Sequence, residues 1–295
     1  MDFGETQQKV ARELIGMALE EDLGPGGDVT SRSLIPAEQT GRVRIVARAP
    51  GVLAGLPVAL MVLDEVDKEV VFEPHCGDGS SLAPGTLVAE IAGRAQSLLR
   101  AERTCLNFLT HLSGVATLTR RYVEAVAGTR AGIYDTRKTL PGWRALEKYA
   151  VRAGGGRNHR MGLHDMVLIK DNHLAAWRAA ATDRSIAAAV RAARERSDAM
   201  VDAPIEVEVE VDTLEQLADA LAGRPDTVLL DNMTPDQLRE AVALRNERAP
   251  EVELEASGGV SLATVAAIAA AGVERISVGA LTHSAPALDL AFDWI

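Results

Sequence analysis

Cysteine is scarce in this chain. Only Cys76 and Cys105 occur among 295 residues; they form neither a disulfide framework nor a close metal-ligand pair, so both read as reduced packing residues. Long hydrophobic runs are also missing. The most apolar segments, such as Ala263 to Val273, are too short to span a bilayer. The opening MDFGETQQ has neither the cationic nor the apolar region of a secretory signal, and a cytoplasmic protein is expected. Positive charge is in deficit, with 31 Lys and Arg against 42 Asp and Glu, a net charge of −11 and a pI near 5.1. No basic run outside one central stretch could neutralise a row of phosphates, which argues against a polynucleotide partner.

That central stretch, Asp135 to Leu174, holds eight Lys and Arg but only four Asp and Glu. A local reversal of sign describes what a site is built to hold, and a small anion is implied. Only five lysines occur in the chain, three of them here. Lys138 and Lys170 stand where Arg could have served, so both are read as chosen for shape or proton chemistry.

Apolar residues at helical spacing predict a first helix over Gln7 to Asp22, stopped by Gly24-Pro25-Gly26-Gly27. From there to about Arg94 the pattern reads as short strands and turns of a small α+β domain, with strands at Arg42 to Ala47 and Val70 to Phe72. Its GDGSSLAPGTLVAEIAG resembles the half-barrel of carrier domains that present a modified lysine. No Lys lies between Gly77 and Gly93, however, which sets that function aside. A long or kinked helical connection follows over Gln96 to Val126.

Beyond Arg130, strand candidates alternate with helical ones. The strands are Ile133 to Asp135, Met166 to Lys170, Ile205 to Val211, Thr227 to Leu230, Val252 to Ala256 and Arg275 to Val278. The helices are Ala175 to Arg196, Thr213 to Ala222, Pro235 to Arg248 and Leu262 to Ala271. Repeated βα units imply a parallel sheet, closed or doubly wound. No GxGxxG follows the first strand, which weakens the dinucleotide-binding alternative. Successive strands end in Thr136-Arg137-Lys138, Lys170-Asp171-Asn172, Glu210, Asp231-Asn232, Ser257-Gly258-Gly259 and Gly279, and in a βα barrel these would converge on one mouth.

The glycines at the last two strand ends, with the helix starting near Leu262, suit a phosphate. Glu210 and Asp231 suit sugar hydroxyls or a hard cation such as Mg²⁺. Arg137, Lys138, His159, Arg160 and Lys170 form a basic side that suits two anionic groups held in different ways. A short element over Pro141 to Ala153, stopped by Gly154-Gly155-Gly156, would position Arg157 to Arg160 on a mobile loop. His75, His111 and His164 show no metal spacing, and His283 in GALTHS is a candidate to face the mouth.

From GDVTS through ERTCLNFLTHLSG, DTRKTLPG, GGGRNHRMGLHD, IKDNH, EVEVEV, LLDN and EASGG to VGALTHS, nearly the whole chain resembles the quinolinate phosphoribosyltransferase family. The resemblance implies an incomplete α/β barrel of about seven strands, six of which are counted above, with a smaller N-terminal α+β sandwich domain. The boundaries expected are 1–112 for the small domain, with the tail 284–295 a candidate to pack on it, and 113–283 for the barrel. It further implies a homodimer in which Arg103 is donated across the interface. Arg137, Lys138, His159, Arg160 and Lys170 would surround a pyridine dicarboxylate. Glu210 and Asp231 would meet the ribose and Mg²⁺, and Ser257, Gly258, Gly259 and Gly279 the 5′-phosphate. Lys138, Lys170, Glu210 and Asp231 are the expected catalytic group. The implied reaction joins quinolinate to 5-phosphoribosyl 1-diphosphate, releasing diphosphate and CO₂ and giving nicotinate mononucleotide.

Three readings compete with this one. A shared scaffold does not fix the ligand, so a same-fold phosphoribosyltransferase could act on another aromatic acid or base. Lys170 at a strand end would also suit a Schiff-base aldolase. A non-catalytic binder of an anionic metabolite would hold ligand without turnover.

Overall fold

The computed structural model describes residues 2–200 and 204–295. The chain forms two compact units, each discontinuous in sequence. The first comprises Met1–Arg120, Lys138–Gly156 and Ala280–Ile295, and the second Arg121–Arg137 and Arg157–Gly279.

The first unit begins with α1 (Glu5–Leu23), whose Ala11, Ile15 and Leu19 are buried at helical spacing. It continues with α2 (Val29–Leu34), where the Asp28 carboxylate accepts the Ser31 N–H as an N-cap. Then come β1 (Thr40–Ala47), β2 (Gly51–Val52), α3 (Leu56–Val66), β3 (Val71–Pro74), β4 (Ser81–Leu82), β5 (Leu87–Arg94) and α4 (Ala95–Ala125). The α3 segment is a helix where strands and turns were expected. Gly55 at φ +105° turns the chain, Pro57 supplies a preset φ in the first turn, and Leu56, Val58, Ala59, Val62 and Leu63 bury one face. The connection expected after Gln96 is a single helix of 31 residues.

The second unit carries β6 (Gly132–Tyr134). After it α5 (Arg144–Ala153) returns to the first unit, and the barrel resumes with β7 (Val167–Ile169). Next are α6 (Asp171–Arg178) and α7 (Ile186–Asp198), two helices where one was expected over Ala175 to Arg196. The break falls where Ser185 caps α7 by accepting the Ala188 N–H. There follow β8 (Val207–Val211), α8 (Leu214–Ala222), β9 (Thr227–Asp231), α9 (Pro235–Arg248), β10 (Glu253–Ser257), α10 (Val265–Ala270) and β11 (Arg275–Ser277). The helix expected near Leu262 thus starts three residues later, because Ser261 and Thr264 close a turn first.

All six of these strands are parallel, in the order β6-β11-β10-β9-β8-β7. A parallel bridge between Tyr134 and Arg157 on the free side of β6 adds a one-residue seventh strand. This is an incomplete α/β barrel, in which β6, β7 and β9 are largely apolar whereas β8 and β10 alternate apolar residues with glutamates.

The chain ends in the first unit with α11 (Ala280–His283) and β12 (Leu290–Trp294). There β12 joins an antiparallel sheet of order β12-β1-β5-β3, with Val43 paired to Trp294 and Ala47 to Leu290. Among the described residues no helix is long and apolar enough to cross a membrane.

Candidate active site

The register of the barrel decides which strand-end residues share a face. Glu210 pairs with Leu229, and Asp231 with Ser257. Since side chains alternate along a strand, Glu208 and Glu210 on β8, Leu229 and Asp231 on β9, and Glu255 and Ser257 on β10 lie on one side of the sheet. Lys170, next after β7, donates from Nζ to the Glu210 carboxylate in a half-exposed ion pair. Asp231 accepts the side-chain amide of Asn232 at 2.7 Å.

The turns after β9 and β10 are locked together. Asn232 adopts φ +54°, and its N–H donates to the Ser257 carbonyl at 2.9 Å. Gly258 sits at φ +88°, and a Cβ there would lie 2.2 Å from Asn232 Oδ1, so only glycine fits. Gly259, at φ +59°, has open space around it and leaves the backbone accessible. Gly279 follows β11 by two residues.

The basic side rests on the end of β6. Buried Asp135 accepts the His159 N–H at 2.9 Å and the Asn158 amide at 2.6 Å. Arg157 N–H donates to the Ile133 carbonyl, and Asp135 N–H to the Arg157 carbonyl. The segment expected as a mobile loop is therefore pinned at four points over Arg157 to His159. It carries Arg160, whose guanidinium is half-buried and donates to the Met166 carbonyl. Burial, and then the neighbouring charge of Arg137, push the Arg160 pKa below its ordinary value. Arg137 in turn has a buried Nε without a hydrogen-bond partner. Two guanidiniums that repel each other, one with a donor unused, make a receptor for anionic oxygen.

His159 is almost fully buried, and its ring faces the interior of the barrel. Its Nδ1 accepts the Arg160 N–H at 2.8 Å, while Nε2 lies 3.1 Å from Glu208 and 3.6 Å from Glu255. Both carboxyls are fully buried. Burial, and then the charge of Glu208, push the Glu255 pKa up to about 7. Sequence reading passed over Glu208 and Glu255. The signal was the alternation in Ile205 to Val211, which sets Glu206, Glu208 and Glu210 on one face of a strand buried on both.

Three of the expected site residues belong to the first unit. Arg103 is exposed on α4, and His283 is exposed at the end of α11 with Nδ1 2.6 Å from Ser284 Oγ. The Lys138 carbonyl accepts the Thr282 hydroxyl at 2.8 Å. Two residues on, Leu140 N–H donates to Glu147, whose other oxygen lies 2.9 Å from His111 Nε2. His111, read as a packing or surface residue, thus helps hold the segment that bears Lys138.

Glu210 and Asp231 offer carboxylate oxygens at neighbouring strand ends, one accepting from the Lys170 ammonium and the other from the Asn232 amide. Such an all-oxygen donor set fits a hard cation that also takes phosphate oxygens.

Residues 28–113 match the model of the quinolinate phosphoribosyl transferase N-terminal domain, and residues 115–293 that of its C-terminal domain. The chain is 48% identical over 287 residues to the nicotinate-nucleotide pyrophosphorylase [carboxylating] of Mycobacterium leprae, covering 96% of each chain. A solved structure of NadC from Streptococcus pyogenes superposes with a TM-score of 0.89 at 37% identity, covering 100% of this chain and 99% of that one. The nicotinate-nucleotide pyrophosphorylase of Francisella tularensis superposes at 0.88 with 35% identity, over 97% and 96% of the two chains. With the barrel, the paired guanidiniums and both domain models in agreement, the chain belongs to the quinolinate phosphoribosyl transferase family.

Proposed function

We infer that this chain is a carboxylating nicotinate-nucleotide pyrophosphorylase, a pentosyltransferase of NAD biosynthesis. It transfers the phosphoribosyl group of 5-phosphoribosyl 1-diphosphate to the ring nitrogen of quinolinate and releases diphosphate and CO₂. The observation that carries the reading is the Arg137–Arg160 pair, with its unused buried donor, at the end of β6. A dicarboxylate is the ligand whose charge two guanidiniums can share.

Diphosphate departure leaves positive charge on the ribose C1, which Glu210 and Asp231 tolerate from neighbouring strand ends. Those two carboxylates would also hold Mg²⁺, which when bound neutralises charge on the leaving diphosphate. The open backbone at Gly259, with Ser257, Gly258 and Gly279, receives the 5′-phosphate. Once the ring nitrogen is alkylated it is cationic, and loss of the adjacent carboxylate leaves a carbanion beside positive charge. Arg137 and Arg160 hold the retained carboxylate, and Lys138 or Lys170 controls the one that leaves. The Lys170–Glu210 ion pair holds the Lys170 side chain in place until substrate arrives.

The proposed assembly is a cytoplasmic homodimer in which Arg103 of one subunit completes the site of the other. The test of the reaction is turnover of purified protein with quinolinate, 5-phosphoribosyl 1-diphosphate and Mg²⁺, with nicotinate as parallel substrate. Nicotinate mononucleotide and CO₂ from quinolinate alone are expected. Reaction of nicotinate in place of quinolinate would favour a same-fold enzyme for another aromatic acid.

A further inference from the structure

The barrel interior contains a second polar group that the reaction above does not use. Glu208 and Glu255 are each fully buried, and none of their four carboxylate oxygens has a hydrogen bond of good geometry. Both face His159 Nε2, at 3.1 and 3.6 Å. Each lies one inward step below a mouth residue on its own strand, Glu208 below Glu210 and Glu255 below Ser257. Burying two carboxylates together is costly, and a fold keeps such a group only where something compensates it.

Two compensations are open, a cation or a hydrogen-bond donor. The three ligand atoms lie within 4.8 Å of one another, close enough to share a metal ion. The histidine decides against that. Its Nδ1 accepts the Arg160 N–H at 2.8 Å, so in the neutral ring the proton sits on Nε2. An Nε2 that carries a proton is a donor to carboxylate and not a ligand to metal. The second compensation is the His159 ring itself, whose Nε2 lies 3.1 Å from Glu208 and 3.6 Å from Glu255.

We propose that Glu208 and Glu255 are positioning residues for the carboxylate clamp: together they hold His159 as the Nε2–H tautomer, whose Nδ1 anchors the Arg160 backbone and so fixes the loop that presents Arg160. This role rests on the phosphoribosyl-transfer reading above and deepens it, since it assigns the shape of the carboxylate receptor to residues that touch no substrate. The chain of contacts runs from β8 and β10 through the imidazole to the loop that presents Arg160. In Glu208→Gln the side-chain amide offers His159 Nε2 a donor as well as an acceptor, so the tautomer that anchors the Arg160 backbone is no longer fixed and the carboxylate receptor loses its preorganisation. The sugar diphosphate binds elsewhere on the strand ends and is indifferent to that change.

The test has two arms. In the first, the imidazole nitrogens of ¹⁵N-histidine-labelled wild-type protein are read by NMR without any substrate, with His159→Asn identifying the resonance. The Nε2–H tautomer is expected; an Nδ1–H tautomer, or a shift of this ring on adding Zn²⁺ or Mn²⁺, would overturn the proposal whatever the enzyme's activity. In the second, Glu208→Gln and Glu255→Gln are assayed, both being isosteric. KM for quinolinate should rise about tenfold or more in Glu208→Gln, the scale of one lost charged hydrogen bond, with KM for 5-phosphoribosyl 1-diphosphate unchanged. Equal rises in both KM values would mark a merely structural role and overturn the proposal. Absence of wild-type turnover with quinolinate would refute the reaction instead, and the tautomer arm would still stand.

Discussion

At the scale of single residues, the barrel interior makes stability depend on pH through one carboxyl. The Glu255 pKa is raised to about 7, so between the ordinary carboxylate range and 7 the folded protein holds a proton that the unfolded chain has released. Stability contributed this way is present at low pH and lost as pH rises through that window, with a slope of roughly 1 kcal/mol per pH unit for one proton. Urea denaturation from pH 5 to 7 should show this fall superimposed on the rest, and Glu255→Gln should remove it. An unchanged slope in the variant would mean that Glu255 is ionised in the folded state. A second residue-scale case is Gly258, where a methyl group would meet both positive φ and the Asn232 amide. Gly258→Ala should cost about 1–3 kcal/mol and raise KM for the sugar diphosphate more than that for quinolinate. Thermal melting and paired KM values check it; a wild-type melting temperature would show that the two turns are not locked.

At the scale of elements, close approach explains what periodicity alone did not. The helix α4 runs past α5 where Gly154 sits, and a Cβ at Gly154 would lie 2.4 Å from the Ala116 carbonyl. On the same helix, a Cβ at Gly114 would lie 2.2 Å from the Pro286 carbonyl. Gly114→Ala should therefore destabilise by about 1–3 kcal/mol, despite alanine's better helix propensity, by pushing the C-terminal segment off α4. A rise in melting temperature would instead show that the segment yields. The barrel strands and α1, α4, α8 and α9 were legible in sequence because each buries a face at its own period. Other elements were not. The apolar run at α3 is short enough to read as strand until Gly55 and Pro57 are seen to set a helix start. The break between α6 and α7 depends on the Ser185 cap, which an alanine-rich composition hides. β12 exists only because β1 offers a free edge, a long-range pairing that no local pattern announces. Among site residues, those at strand ends stood out by charge or glycine. Glu208 and Glu255, one step deeper, were hidden because a carboxylate in an apolar strand looks like a solvent-facing residue until its partner strands are known.

At the scale of the whole molecule, the proposed homodimer makes its own prediction. Arg103 is exposed on α4 in the first unit, whereas Lys170 belongs to the strand-end group of the second. If Arg103 serves the partner's site, Arg103→Ala and Lys170→Ala are each inactive alone but complement when mixed. In a hybrid dimer one site lacks both residues and the other lacks neither. Random pairing of equal amounts makes about half of the dimers hybrid, so about a quarter of wild-type activity should return, given two equivalent sites per dimer. The measurement is turnover with quinolinate after mild unfolding and refolding of the mixed variants, with each variant refolded alone as control. If Arg103 acted within its own subunit, every site in every hybrid would lack one residue and no activity would return. The acidic net charge of −11 bears on the design of that experiment. It keeps subunits soluble during exchange, and moderate salt screens their mutual repulsion so that pairing follows the interface and not the overall charge.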